Sequence, residues 1–286
     1  MSRLLPSAAL AALLVLGACD AADPDDSATE ADLDDAAVVV ASALALNGGG
    51  ALEDAASAAS LAASLDAVGR SAGPDRPGCD HSRVYDSASS TWTVTLDCDR
   101  GDPDGRFYAS FDRVSTYQFV GAGGDPQAER ADAASVNYDV LSGSSLFRSP
   151  RGVHALTSLG ADLTVTALDD DLVSVSGTYQ RAATDTLRGP RGERTVAYTL
   201  SLALDNVQGP KTRSRAWRNT VAGTITGTLQ STITRTPAGG ATTITEVDRT
   251  FTVTFPEDGD GRVAEIAIDR HRYRADVETG AIASIP

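Results

Sequence analysis

From Arg83 to Val277 the apolar residues of this chain fall on every second position, and that period of two limits the fold more than any other feature. Trp92, Val94 and Leu96 alternate with Thr91, Thr93 and Thr95. Phe107, Ala109, Phe111, Tyr117 and Phe119 share a parity, as do Leu163, Val165 and Ala167, and Val173, Val175, Gly177 and Tyr179. Val196 to Leu204 is the cleanest run, and Val221, Ile225, Leu229 and Ile233 alternate with a row of threonines and Gln230. Val247, Phe251, Val253 and Phe255 follow, with a parity slip near Glu246 that predicts a bulge. Ala264, Ile266 and Ile268, then His271, Tyr273, Ala275 and Val277, complete the series. Side chains alternate across a strand, so such runs describe antiparallel sheet with one face buried and one wet. Asp169-Asp170-Asp171, Gly189-Pro190-Arg191-Gly192, Pro237-Ala238-Gly239-Gly240 and Asp258-Gly259-Asp260-Gly261 supply the turns. Residues 122–160 lack the alternation and read as a long excursion with short strands at most.

Long strands near 106–120, 194–208 and 220–235, joined by short turns, favour a meander that curls. The expected fold is mainly β: a large curled antiparallel meander, half-barrel or sandwich-like, with one or two N-terminal Ala-rich helices packed on it. The helices are expected over 33–46, with Thr29 or Asp32 as cap, and over 51–68, where Leu52, Ala55, Ala56, Ala59, Ala62 and Leu65 make a small-residue face. Gly177, Gly223 and Gly227 lie on the inward parity. They predict bends or close backbone approach, with a small-residue helix packed over them; in a carrier they would face the ligand.

Three cysteines bear on the compartment. A hairpin centred between Ala88 and Ser89 sets Cys79 opposite Cys98, Tyr85 opposite Trp92 and Arg83 opposite Val94. A Cys79–Cys98 bridge would close the hairpin base on its apolar side and is worth about 3 kcal/mol in the chain-entropy model. Cys19 is then left over, in a distinctive place. Met1-Ser2-Arg3 gives a positive start, and Leu4 to Leu16 is apolar but too short to span a bilayer as a permanent helix. The run ends Leu16-Gly17-Ala18-Cys19. These residues resemble the lipobox of bacterial lipoproteins. The resemblance implies cleavage before Cys19, lipidation of its thiol and attachment to a membrane through several acyl chains. The organisation expected is a signal peptide over 1–18, an acidic tether over 19–32, a helical segment over 33–74 and a β domain over 75–286.

The tether's acids, among them Asp20, Asp25, Asp26, Asp34 and Asp35, resemble the surface-export signal of Bacteroidota lipoproteins, whereas Asp20 alone resembles the inner-membrane retention signal of enteric bacteria. The expected location is the cell envelope, at the outer membrane, on either its periplasmic or its surface face. Helices on a curled sheet also resemble, in outline, the half-barrel of periplasmic lipoprotein carriers and their receptors. Threonine and serine tiling of the wet faces resembles uncharacterised lipoproteins of marine bacteria.

A formal net charge of −15 argues against nucleic acid and against electrostatic docking on anionic lipid heads. Aromatics at 5% are thin for a sugar-binding platform. Asp99, Asp102 and Asp104, and likewise Asp258 and Asp260, place carboxylates at near-alternate positions in Gly-bearing loops, a weak calcium pattern better explained by turn chemistry. Arg270, Arg272 and Arg274 line one strand face, and Lys211, Arg213, Arg215 and Arg218 surround Trp217; pairing with neighbouring acids accounts for such cations. The sequence lacks GxSxG, HExxH, CxxC and a phosphate loop, and His81, His154 and His271 are far apart. The expectation is a non-catalytic, membrane-anchored interaction or envelope-structural module without cofactor, its protein partner open. The alternatives are a carrier of an apolar ligand held between sheet and helices, and a hydrolase with an unrecognised site.

Overall fold

The computed structural model describes residues 28–46, 49–63, 78–168, 170–211, 214–217, 219–256 and 262–285. Cys19, the leader and most of the acidic tether lie outside them, as do Asp258 and Asp260. Two helices, α1 (Glu30–Leu44) and α2 (Ala51–Leu61), precede the sheet. The strands follow as β1 (Cys79–Asp86), β2 (Thr91–Gly101), β3 (Tyr108–Gly121), β4 (Pro126–Gln127), β5 (Ala133–Ser149), β6 (Gly152–Thr166), β7 (Leu172–Gly189) and β8 (Gly192–Pro210). A short α3 (Ser214–Trp217) leads to β9 (Ala222–Pro237), β10 (Thr243–Phe255), β11 (Val263–Ile268), β12 (His271–Asp276) and β13 (Ile282–Ile285). All thirteen strands form one antiparallel meander in chain order, with β4 appended to β3. The sheet stays open, β1 and β13 being its edges.

Twelve strands side by side span about 50 Å, whereas two helices cover roughly 20–25 Å. Yet inward residues from Phe119 on β3 to Tyr273 on β12 share one core with both helices. The sheet must therefore curl around them. Helix α1 lies against β9–β13 and α2 against β5–β8. Both are rich in alanine because the space inside the curl is narrow: Ala37, Val40, Leu52, Ala55, Ala58, Ala59 and Leu61 are all fully buried.

Helix α1 begins earlier than its apolar pattern suggests. Thr29 is the cap, in a box with Asp32, so the tether gives way to helix at Glu30. Asp32 and Asp35 are buried and tie the first turns to the sheet, Asp32 to Arg235, Asp35 to Arg194 and Arg235. Burial raises the Asp32 carboxyl, but the Arg235 guanidinium and the Thr29 hydroxyl and N–H outweigh it and hold the group below its ordinary value. A carboxylate so depressed contributes stability above its unfolded pKa and loses it as pH falls through the folded one. Acid titration is therefore expected to destabilise the parent steeply below about pH 4, and Asp32→Asn to flatten that limb while costing about 2 kcal/mol at neutral pH. Equal acid limbs in denaturant titrations of the two proteins would show that this clamp is not what acid breaks.

The first hairpin has the expected register: Cys79 opposite Cys98, Arg83 opposite Val94, Tyr85 opposite Trp92. The two sulfur atoms are 2.11 Å apart, a disulfide. Two expectations are corrected. Residues 122–160 are not an excursion but hold β5 and the first part of β6, strands of 17 and 15 residues. The pairing of β9 with β10 runs unbroken from Thr243 to Phe255, without a bulge at Glu246. At the three glycines the space a Cβ would need is taken by strand neighbours, while α2 lies against β7 and α1 against β9. A Cβ at Gly177 would lie 2.0 Å from the Asp162 carbonyl oxygen, and one at Gly223 2.8 Å from that of Asn206. At Gly227 it would meet the Phe251 ring and the Ser201 carbonyl oxygen. The close backbone approach holds at all three, and Gly177 also marks a register shift between β7 and β8.

Candidate functional site

The register lays the inward residues of β3, β5, β6 and β7 out in rows. Arg113 and Arg181 belong to one row, which Asp54 of α2 meets through Arg113. Phe111, Ser145, Leu156 and Ala183 form the next row, towards the end that carries the β5–β6 and β7–β8 turns. Ala109, Phe147, His154 and Asp185 come after it, then Ser149, Gly152 and Leu187. Helix α2 starts above the Arg113 and Phe111 rows. Its leading residue Gly49 lies against Phe111, and the Gly49 carbonyl oxygen accepts from the Tyr179 hydroxyl at 3.1 Å. Over β8 and β9 the outer rows are covered by the first turns of α1, through Arg194 and Arg235. Over β5–β7 they are left open: Phe147 is 52% exposed and Leu187 50%.

Charged groups line the floor of this opening. Asp54 of α2 is fully buried and paired with Arg113, which also donates to the Tyr138 hydroxyl at 3.1 Å. Burial pushes the Asp54 carboxyl up against the pull of Arg113 and Arg181; burial also lowers Arg113, but the charge and hydrogen bond of Asp54 together with Tyr138 and Tyr179 outweigh it and raise that group. Burial likewise pushes the Tyr198 phenol up to about 12. Arg181, only 5% exposed, donates to His154 Nε2 at 3.1 Å, and its Nε and Nη1 are buried without a hydrogen-bond partner. His154 Nδ1 meets Asp185 at 2.5 Å. A guanidinium can only donate, so His154 accepts at Nε2 and carries its proton on Nδ1, towards Asp185. Both ring nitrogens are thereby engaged, and the imidazole has no lone pair left for a nucleophile. The carboxylate half of a hydrolytic triad is present; the serine position is held by Arg181.

Other candidates resolve into structural work. In the Asp99–Asp104 loop, the Asp102 carboxylate accepts from the Asp104 N–H at 2.9 Å and its carbonyl oxygen accepts from the Gly105 N–H, as a turn requires. Among the described residues no three His, Cys, Asp or Glu side chains converge as metal ligands. Arg272 pairs with Glu265 of the neighbouring strand. Trp217 is buried against Gly209, with its indole N–H donating to the Pro210 carbonyl oxygen.

The opposite, wet face carries two shallow grooves. One of about 720 Å³ is walled by Thr178, Ser201, Thr226, Thr228, Thr250 and Thr252. The other, of about 520 Å³, lies farther along the same strands between Thr184, Thr199, Gln230, Thr232 and Asp248. Their threonine hydroxyls and the Gln230 amide can hydrogen-bond to a polar surface, beside apolar lining from Leu202, Phe251 and Val247.

The Asp54–Arg113 and Arg181–His154–Asp185 contacts join residues 27 to 59 positions apart, which no local spacing brings together. Their visible signal is a charge on an inward parity: Arg113 between Phe111 and Ser115, Arg181 between Tyr179 and Ala183. Comparison of the chain with known protein families, with curated proteins and with solved structures finds no match.

Proposed function

We propose that the protein is an exported envelope lipoprotein, anchored through lipid on Cys19, whose β domain is a rigid, non-catalytic interaction module. One observation carries this reading: α1 and α2 themselves fill the inside of the curl. Their alanine and leucine side chains are buried against Phe119, Leu163, Leu200 and Ile225, in the space a carrier would keep for its ligand. What remains accessible is the hydroxyl-rich wet face and the rim. The engagement of both His154 nitrogens favours a non-catalytic role.

A second reading, a carrier for an amphiphile with an acidic head, has one observation in its favour. Phe147 and Leu187 line the uncovered rows above Arg181, whose buried Nε and Nη1 would suit a carboxylate or phosphate. Native mass spectrometry of the protein taken from its own host membranes separates the two. The expected mass begins at Cys19 with a diacylglycerol on its thiol and an acyl chain on its amino group, lacks the thiol hydrogens of Cys79 and Cys98, and carries nothing else. An unmodified N-terminus elsewhere would sink the anchor, and a stoichiometric bound fatty acid or phospholipid would make the carrier the better reading.

A further inference from the structure

The end of the sheet that bears the β5–β6 and β7–β8 turns differs from the chain as a whole. The chain is strongly acidic, yet the two adjacent hairpin tips over 148–152 and 187–194 hold five arginines and one acid, Glu193. The tips are bonded to each other, the Arg188 N–H donating to the Arg151 carbonyl oxygen at 2.7 Å. Arg188 is paired with Glu193 and Arg148 donates to Pro103. Arg151 and Arg191 are exposed and have no ion pair among the described residues. Large apolar side chains gather on the same rim: Phe107 is 66% exposed, Leu187 50% and Ile244, on the β9–β10 tip, 67%. The β2–β3 tip is mixed, with Asp99, Asp102 and Asp104 beside Arg100 and Arg106. Exposed Glu30 and Asp34 of α1 lie by Tyr273 on β12, in the same first turns whose Asp32 and Asp35 are paired with Arg235 and Arg194.

The chain also enters the domain here. Thr29 caps the turn of α1 that is tied to Arg235 and Arg194, at the ends of β9 and β8 that bear this rim. Cys19 precedes Ala28 by nine residues, a reach of at most about 30 Å. A lipid on Cys19 would hold this rim, and not the opposite end, next to the membrane.

We propose that the rim formed by Phe107, Leu187, Ile244, Arg151 and Arg191 is a membrane-docking surface that rests on anionic phospholipid, its apolar side chains at the headgroup boundary and its arginines on the phosphates. The net charge does not forbid this. Acids at the far turns, such as Asp86 and Asp170, lie a strand length away, roughly 50 Å, against a screening length of about 8 Å at physiological salt. The headgroups respond to the tip, not to the sum. Arginine beside exposed aromatic and aliphatic residues is the pattern of interfacial binding.

The surface rests on the anchored reading for its orientation, so it is tested without the anchor. The chain from Asp20 onward keeps every described residue and has neither leader nor lipid. It is mixed at millimolar lipid with vesicles of phosphatidylcholine alone or with phosphatidylglycerol, and the bound fraction is measured by co-sedimentation. Binding is expected only with phosphatidylglycerol, and high salt should release it. Arg151→Ser with Arg191→Ser should weaken it about 30-fold, from the loss of two cationic contacts. Leu187→Ser with Phe107→Ser should abolish it. All these positions are exposed, so melting temperatures should match the parent and exclude misfolding. A folded parent that ignores phosphatidylglycerol, or variants that bind as the parent does, would overturn the inference. If the host protein proves acylated on Cys19 while the vesicle test fails, only the docking surface falls. If Cys19 is not acylated but the vesicles bind, the surface stands and the anchor falls.

Discussion

Asp54→Ala is expected to destabilise the domain by about 3–5 kcal/mol, the largest loss from any single polar side chain in the fold. Asp54 is fully buried and Arg113 nearly so, and among the described residues the only other group bonded to that guanidinium is the neutral Tyr138 hydroxyl. Removing the carboxylate leaves a cation inside the curl, where it can neither shed its proton nor be well solvated. The loss thus measures a stranded charge rather than the worth of the pair. Asp54→Leu combined with Arg113→Leu should recover most of it, because a pair replaced by apolar side chains of similar volume no longer demands solvation. Because burial raises the Asp54 carboxyl in the fold, its ionisation costs stability as pH rises through that raised value, the opposite of Asp32. Urea denaturation of the three proteins decides the matter. A loss below about 1 kcal/mol for Asp54→Ala, or a double variant weaker than the single one, would mean that Arg113 is solvated by another route.

How much of this was legible in the sequence depended on whether a strand kept its parity. The first hairpin was readable to the residue because β1 and β2 pair without a slip, so that one sum fixes every partner. β5 and β6 were hidden because each changes parity midway. Val136, Tyr138 and Val140 face inward before a shift opposite Val114 and Ser115, and Gly143, Ser145 and Phe147 after it. In β6 the shift lies between Leu156 and Ser158. A one-residue bulge swaps the buried face, and a period-two search then finds two short runs where one long strand exists. The apparent slip at Glu246 misled in the other direction: Thr245 and Arg249 sit on the inward parity of an unbroken ladder, and polar residues at inward positions look like a change of register. The candidate site suffered from the same cause. His154 and Phe147 lie beyond the slips, so nothing local placed them on the inner face with Arg113 and Arg181. The rim was obscured for a different reason. Net charge is a property of the whole chain, whereas a membrane meets only the hairpin tips, and which tips share an end follows from the meander order.

Gly177→Ala carries the other large expected effect, a loss of about 3 kcal/mol or more, and it separates two meanings of an inward glycine. Gly177 has φ +144°, a conformation that side-chain-bearing residues rarely adopt, and a Cβ there would stand 2.0 Å from the Asp162 carbonyl oxygen. The atom in the way is backbone of the paired strand β6, so no rotamer change can make room; β6 and β7 would have to part. If glycine were there to leave space for a ligand, alanine would fill that space, reduce binding and leave stability nearly unchanged. Because the close neighbour is backbone, the structure predicts the reverse: a lower melting temperature, and local loss of amide protection along Asp162–Leu163 and Thr178–Tyr179 before the rest of the sheet. Gly227→Ala provides the comparison. One of its neighbours is the Phe251 ring, which can turn aside, although the Ser201 carbonyl oxygen at 2.6 Å cannot, so its loss should be smaller but real. Hydrogen exchange on both variants reads this out strand by strand. Full protection at Gly177→Ala would mean that the β6–β7 ladder absorbs a side chain at its tightest point, and the bulge at Val175–Gly177 would then be a slack joint rather than the fixed bend that lets the sheet curl around its helices.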